Sequence, residues 1–249
     1  MAGMTQLGSK TAIDAILDRR TVRRFSQRDV EDKVLYELLD LANRAPSSYN
    51  LQPWHFVVIR DANLKSVLEY VTLGQHQVTE APATVVFVAD PKAWRLPYDR
   101  LLKMSSEAKV FTPEKVAFNR RMVSRLYRTG PLGLYGLYKR IVVPLKRLKQ
   151  PMANVLNSFE EAQWHARCQT MLAAATFMIA ARAYGLDTNP MERFDEYRLK
   201  KMLDIPKYMS IPIAIAIGYA LDVEGITRTL RFPLNDKVSI DRFRKRETS

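Results

Sequence analysis

The stretch "APSSYNLQPWHFVVI", residues 45–59, changes character in the middle. Its first half is polar, with hydroxyls at Ser47 and Ser48 and carboxamides at Asn50 and Gln52. Its second half, WHFVVI, is aromatic and β-branched, the composition of a strand. Hydrogen-bonding side chains just before a buried strand can satisfy the edges of a heteroaromatic ring or a sugar chain. The plainest reading of Ser47-Ser48-Tyr49-Asn50 is a turn. What the rest of the chain brings to it decides between the two.

Upstream, residues 30–44 place Val34, Leu35, Leu38, Leu39 and Ala42 at helical spacing. Pro46 stops this helix, because the residue before a proline avoids the helical region. Residues 11–18 read as a shorter helix with Ala12, Ile13, Ile16 and Leu17 on one side. Downstream, 62–80 reads as a helix and TVVFVA (84–89) as a strand buried on both faces. Residues 158–184 read as one long helix whose second half is apolar nearly all round and so is expected in the core. Gly185 is placed to end it. A helix over 195–203 and the strand IPIAIAIGYA (211–220) follow. Helices and strands share one core, so a layered α+β or α/β domain is expected. Residues 91–156 separate two parts of that core and read as an insertion or lid.

Composition narrows the function classes. The chain has 249 residues, 47% hydrophobic and 26% charged, an ordinary globular balance. No run of about 18 apolar residues suggests a membrane span. The first ten residues, MAGMTQLGSK, lack an apolar signal region, so a cytoplasmic address is expected. Cys168 is the only cysteine, which excludes an internal disulfide and a cysteine-built metal site. His55, His76 and His165 are scattered without metal-ligand spacing, and no metal is expected. No GxGxxG follows a strand, so no separate dinucleotide domain is expected.

Three further polar stretches carry chemistry. "RRTVRRF" (19–25) offers guanidinium groups and a hydroxyl, which suit a phosphate. Solvated charges at a helix end are its plain reading. "YGLDTNPMERFD" (184–195) contains a strand-like turn before Pro190, whose backbone N–H groups could face a cleft. "RTLRFPLND" (228–236) adds Arg228 and Arg231.

Taken together in this order, the four stretches resemble the nitroreductase family of FMN-dependent oxidoreductases. The resemblance covers residues 11–90 and 157–240 and leaves the insertion out. It implies a single α+β domain over 1–249: a three-layer sandwich with a central, mostly antiparallel sheet. It also implies an intertwined homodimer with a C-terminal exchange arm at about 221–249. FMN is the implied cofactor, with NAD(P)H as reductant in a ping-pong hydride transfer to a nitroaromatic, quinone or similar small-molecule acceptor. Residue by residue, Arg19 and Arg231 would hold the phosphate, with Thr21 beside them and Arg228 as a further contact. Arg20 would lie against the flavin through its backbone, and Arg23 near the N1–C2 edge, where a fixed cation favours the reduced state. Pro46, Ser47, Ser48 and Asn50 would reach the flavin held chiefly by the partner subunit. Pro190, Met191 and Glu192 would lie over the ring, and Gln77 would serve the pyrimidine edge. The chemistry belongs to the cofactor, so no catalytic side chain is assigned. Arg193 stands where many relatives have glycine and adds bulk and charge beside this loop. Reductive dehalogenation or substrate dehydrogenation at the same site stays open. So does a non-catalytic basic binding protein on the same fold.

The insertion holds most of the charge. Residues 91–150 contain 15 Lys and Arg against Asp99, Glu107 and Glu114, nearly all of the chain's net +13. Within 116–150, basic residues alternate with Leu, Tyr, Val and Ile. Gly130-Pro131 divides the segment, and Pro144 is expected to disturb its second piece. It reads as a helical lid or as a segment resting on an anionic membrane surface. No recognition module supports nucleic-acid binding.

Overall fold

The computed structural model describes residues 10–130, 133–221 and 230–243. Its elements run α1 (Ala12–Asp18), α2 (Asp32–Asn43), β1 (Trp54–Ile59), α3 (Ala62–Val71), α4 (Gln77–Glu80), β2 (Ala83–Ala89), α5 (Leu96–Glu107), α6 (Pro113–Tyr127), α7 (Leu134–Arg147), α8 (Phe159–Ala183), β3 (Asp187–Met191), α9 (Glu196–Met202) and β4 (Ser210–Gly218). The strands form one sheet in the order β1-β2-β4-β3, with every neighbour antiparallel. The α+β architecture expected from the sequence is present.

Alternation along the central strands builds two cores. Val85 and Phe87 of β2, with Ile213, Ile215 and Ile217 of β4, face α2 and α8. Val86 and Val88, with Ala214 and Ala216, face Leu68 and Val71 of α3, Val78 of α4 and Leu199 of α9. Helices on both faces of the sheet make three layers. Both central strands are buried along their whole length, and apart from Thr84 and Ser210 their residues are apolar.

Four local expectations are corrected. The helix over 62–80 is two: Leu73 (φ 61) and Gly74 (φ 78) take left-handed conformations between α3 and α4. Residues 187–191 form a strand, β3, at the sheet edge, where Pro190's missing N–H leaves only one neighbour to pair. Helix α7 runs through Pro144. Both Pro144 and Arg140, whose carbonyl loses its N–H donor, are exposed, so water can take that bond. Finally, the second half of α8 is not enclosed all round. Ala173, Ala174, Phe177 and Ala181 are buried, but Leu172 is exposed, because no described residue covers that face.

Residues 91–156 fold into α5, α6, α7 and an extended return. Tyr98, Leu102, Val123 and Tyr127 close a third small core over Leu51, at the end of the 45–53 loop. This segment therefore sits directly on the 45–59 stretch.

Candidate functional site

Of the expected residues, the arginine loop and Gln77 converge on β3. The chain leaves α1 through Arg19 and runs along the free edge of β3, where Thr21 forms a parallel bridge with Thr188. The Val22 N–H donates to the Thr188 carbonyl at 3.1 Å. The Asn189 amide returns a bond to the Val22 carbonyl at 2.7 Å, and its Oδ1 accepts from Gln77 at 3.3 Å. Gln77 also donates to Gln75 Oε1 at 3.0 Å. The Gln75 amide donates to the carbonyls of Thr72 at 3.1 Å and Arg193 at 2.8 Å. One chain of amide side chains thus ties together the arginine loop, the α3–α4 turn and the 190–193 loop.

The cations are placed unequally. Arg24 pairs with Glu80 at 3.0 Å, which also accepts the Phe25 N–H. None of Arg19, Arg20 and Arg23 forms a salt bridge with a carboxylate among the described residues, though Asp18, whose pKa is lowered chiefly by Lys10, also feels the charge of Arg20; the buried Nε of Arg20 has no hydrogen-bond partner there. A buried guanidinium nitrogen without a partner is costly unless a ligand supplies one. Three cations on a backbone clamped to a sheet edge fit a phosphate-bearing, electron-accepting group such as FMN. Pro190 is half-buried, Glu192 is exposed, and the Met191 side chain is buried in the core, so Met191 can offer a ligand only its backbone. Arg231 is exposed on an arm, 230–243, whose described residues are all exposed; among the described residues its guanidinium donates to the Leu230 carbonyl at 3.0 Å. Arg228 lies outside the described residues.

The 45–53 loop forms a second group. Tyr49 (φ 54), Asn50 (φ 56) and Gln52 (φ 46) all lie in the left-handed region without being glycine. Each such residue costs on the order of 1 kcal/mol or more, and strain of this kind persists where surrounding bonds enforce it. Ser47 Oγ accepts the Gln52 N–H at 2.9 Å, and Asn50 Oδ1 accepts from the Gln52 amide at 3.1 Å. The Ser48 N–H donates to Gln169 Oε1 of α8 at 2.7 Å, and Ser48 Oγ stands 3.4 Å from His165 Nε2. Pro46 is exposed before this turn. No hydrogen bond among the described residues joins this loop to the arginine loop.

His165 reads from the sequence as a structural helix residue; the structure sets it between Ser48 and Tyr127 of α6, whose hydroxyl lies 3.3 Å from Nδ1. Burial pushes the imidazole pKa down and the Tyr127 phenol well above its usual range. A cavity of about 770 Å³ opens beside it between α7 and α8, lined by Val143, Pro144, Leu156, Trp164, His165 and Cys168 among others. The sequence reading missed Asn189, Gln75 and Tyr127 as site residues. For His165 a signal existed: it lies four residues before Gln169, on one face of α8, and both reach Ser48.

Residues 16–219 match the nitroreductase family. The chain belongs to the nitroreductase family. With that membership go the oxidoreductase class and the FMN cofactor that the motifs implied. A Thermus thermophilus protein named NADH dehydrogenase is 28% identical over 218 residues, 88% of this chain and 89% of that protein. A nitroreductase-like protein from Streptococcus mutans superposes with a TM-score of 0.72 at 22% identity, covering 92% of this chain and 97% of that one. A solved Exiguobacterium sibiricum structure, described as a complex with FMN, gives 0.69 at 21% identity over 93% of this chain and 98% of its own. No described metal-ligand cluster competes with this site.

Proposed function

We propose that this nitroreductase-family chain works as a homodimer that passes hydride from NAD(P)H to a nitroaromatic, quinone or similar small acceptor by way of FMN. The observation that carries this reading is the arginine loop: bolted to β3 by its backbone, with Arg19, Arg20 and Arg23 in no salt bridge among the described residues and the buried Nε of Arg20 unpartnered there. When bound, FMN supplies the hydride chemistry. Arg19 and Thr21 hold the phosphate, with Arg228 and Arg231 from the C-terminal arm. Arg23 offsets negative charge at the pyrimidine edge, helped by Gln77. Pro190 and Met191 lie over the ring, and a backbone N–H near Glu192 orients it.

The separation of the arginine loop from the 45–53 loop supports the homodimer. Pro46, Ser47, Ser48 and Asn50 reach the partner's flavin, and the exposed arm crosses to the partner. The exposed Ile13, Ile16 and Leu17 of α1, with Leu172 of α8, supply apolar surface for such a contact. Without a second nucleotide-binding motif, NAD(P)H and the acceptor use the flavin face in turn.

Purified protein is expected to be yellow, to release FMN on denaturation, and to oxidise NAD(P)H only when an acceptor is present. Colourless protein that takes up no added FMN would end this reading. An acceptor panel including halogenated and saturated substrates separates reduction from dehalogenation and dehydrogenation.

A further inference from the structure

Helix α7 is built inside out. Its inward face carries Gly136 and Lys139, both buried, while its outward face carries Leu134, Leu137, Tyr138, Ile141 and Leu145, each more than half exposed. Leu148, one residue past the helix, continues that stripe at 84% exposure. The spacing of three, four and seven residues puts these six side chains on one face.

The rotation of α7 is fixed from within. A Cβ at Gly136 would stand 1.8 Å from the Asn157 carbonyl oxygen, so only glycine permits the approach. Lys139 Nζ donates to the carbonyls of Leu126 and Leu156, and its stem is sealed behind it. Turning the leucines inward would break both contacts and strip the lysine of its partners. The stripe therefore faces outward because of its own chain's packing.

We propose that the outward face of α7 is a docking surface for an anionic lipid bilayer. Residues 133–150 hold no acidic residue. Lys146 and Lys149 are exposed and have no acidic partner among the described residues, and Arg140 makes only a loose 3.8 Å pair with Glu161. Helix α6 adds exposed Arg121 and Arg125, and Arg128 just past its end is exposed too. An apolar stripe rimmed by cations matches acyl chains below a layer of negative headgroups. A second copy of the chain would bring the same positive rim against itself, which like charge opposes. A nucleic-acid phosphate lattice would leave six apolar side chains without a complementary surface. At about 21 Å, α7 is too short to span a bilayer and can lie in its surface.

The test is co-sedimentation of the full-length holoprotein with vesicles of phosphatidylcholine alone or mixed with phosphatidylglycerol. Binding to the anionic vesicles at low salt is expected, at least roughly tenfold weaker on neutral vesicles and at about 0.5 M salt. Leu137→Ser/Ile141→Ser/Leu145→Ser should lose roughly tenfold or more, since each removes buried apolar surface in the bound state. Lys146→Glu/Lys149→Glu changes only exposed charges and should weaken binding in the same direction, which keeps the test valid if the triple variant misfolds. No binding at low salt, or binding that neither variant changes, overturns the proposal. So does equal binding to neutral vesicles. If the triple variant instead changes the sedimentation coefficient without lipid, the stripe is a self-contact. If duplex DNA binds and the triple variant binds it equally, the basic surface serves nucleic acid. Either result overturns lipid docking.

Discussion

Asn189→Ala tests whether the amide chain holds the arginine loop in place. Asn189 is 3% exposed and makes two bonds that matter, to the Val22 carbonyl at 2.7 Å and from Gln77 at 3.3 Å. The two losses are unequal. Gln77 keeps its bond to Gln75 Oε1, but the Val22 carbonyl loses a side-chain donor in a buried setting. An unsatisfied buried acceptor costs about 1–3 kcal/mol. Taking about 2 kcal/mol, a chain of this length should melt about 4–8 °C lower. If all of that energy was holding the loop in its binding geometry, FMN affinity falls by up to about thirtyfold, since 1.4 kcal/mol is a factor of ten. Thermal unfolding of the apoprotein and fluorescence titration with FMN measure the two effects separately. Asn189→Asp sharpens the test. It keeps an acceptor for Gln77 but sets a carboxylate oxygen against the Val22 carbonyl, so it should be no better than alanine. A melting temperature within about 1 °C of wild type for Asn189→Ala would show that the network holds nothing.

Arg19→Ala should leave the fold intact and weaken FMN retention by roughly tenfold or more, because a charge-assisted phosphate bond is lost; unchanged holoprotein content would remove Arg19 from the site. Asp187→Ala leaves Arg182, whose pair with Asp187 at 3.0 Å is largely buried, without its main partner, and frees the Ala220 N–H. A loss of about 3–5 kcal/mol is expected in urea titrations, and less than about 1 kcal/mol would contradict it. The His165 pKa is lowered by burial, so the folded state binds fewer protons than the unfolded one. Its contribution to stability is therefore complete above the unfolded value of about 6.5 and is lost as pH falls towards the lowered folded value. His165→Phe should flatten the difference in urea midpoint between about pH 7.5 and 5.5, a window above the range in which Glu196 titrates; an unchanged slope refutes the assignment. Gly136→Ala should displace α7 or destabilise the insertion by about 1–3 kcal/mol, read by proteolysis within 128–150, since its Cβ meets backbone and not a yielding side chain.

The sheet and its helices were legible because burial on both faces writes an unambiguous pattern. TVVFVA carries one polar side chain, Thr84, and IPIAIAIG none, a pattern that no solvated element tolerates. Strand β3 was illegible for the opposite reason. DTNPM is short, polar and holds a proline, and its strand character comes from pairing with β4, not from its own preferences. The candidate site divides the same way. The arginine and serine loops were legible as candidates because their side chains offer hydrogen-bond donors and cations. Asn189 was not, because its work is to bind another residue's carbonyl across 167 positions, which no local pattern records.

The apolar side chains left outside are the harder lesson in patterning. Ile13, Ile16 and Leu17 form a regular helical stripe, and the natural inference is a core-facing helix; instead only Ala15 of α1 is buried. Amphipathicity states that a face seeks cover and is silent on whose. The surroundings tell the exposed faces apart. Helix α1 packs against α8 and lies outside the strongly basic segment, which suits the proposed contact between identical subunits. The α7 stripe carries a cationic rim that would repel its own copy. Two surfaces that look alike in hydropathy thus call for different partners, and charge at their margins separates them.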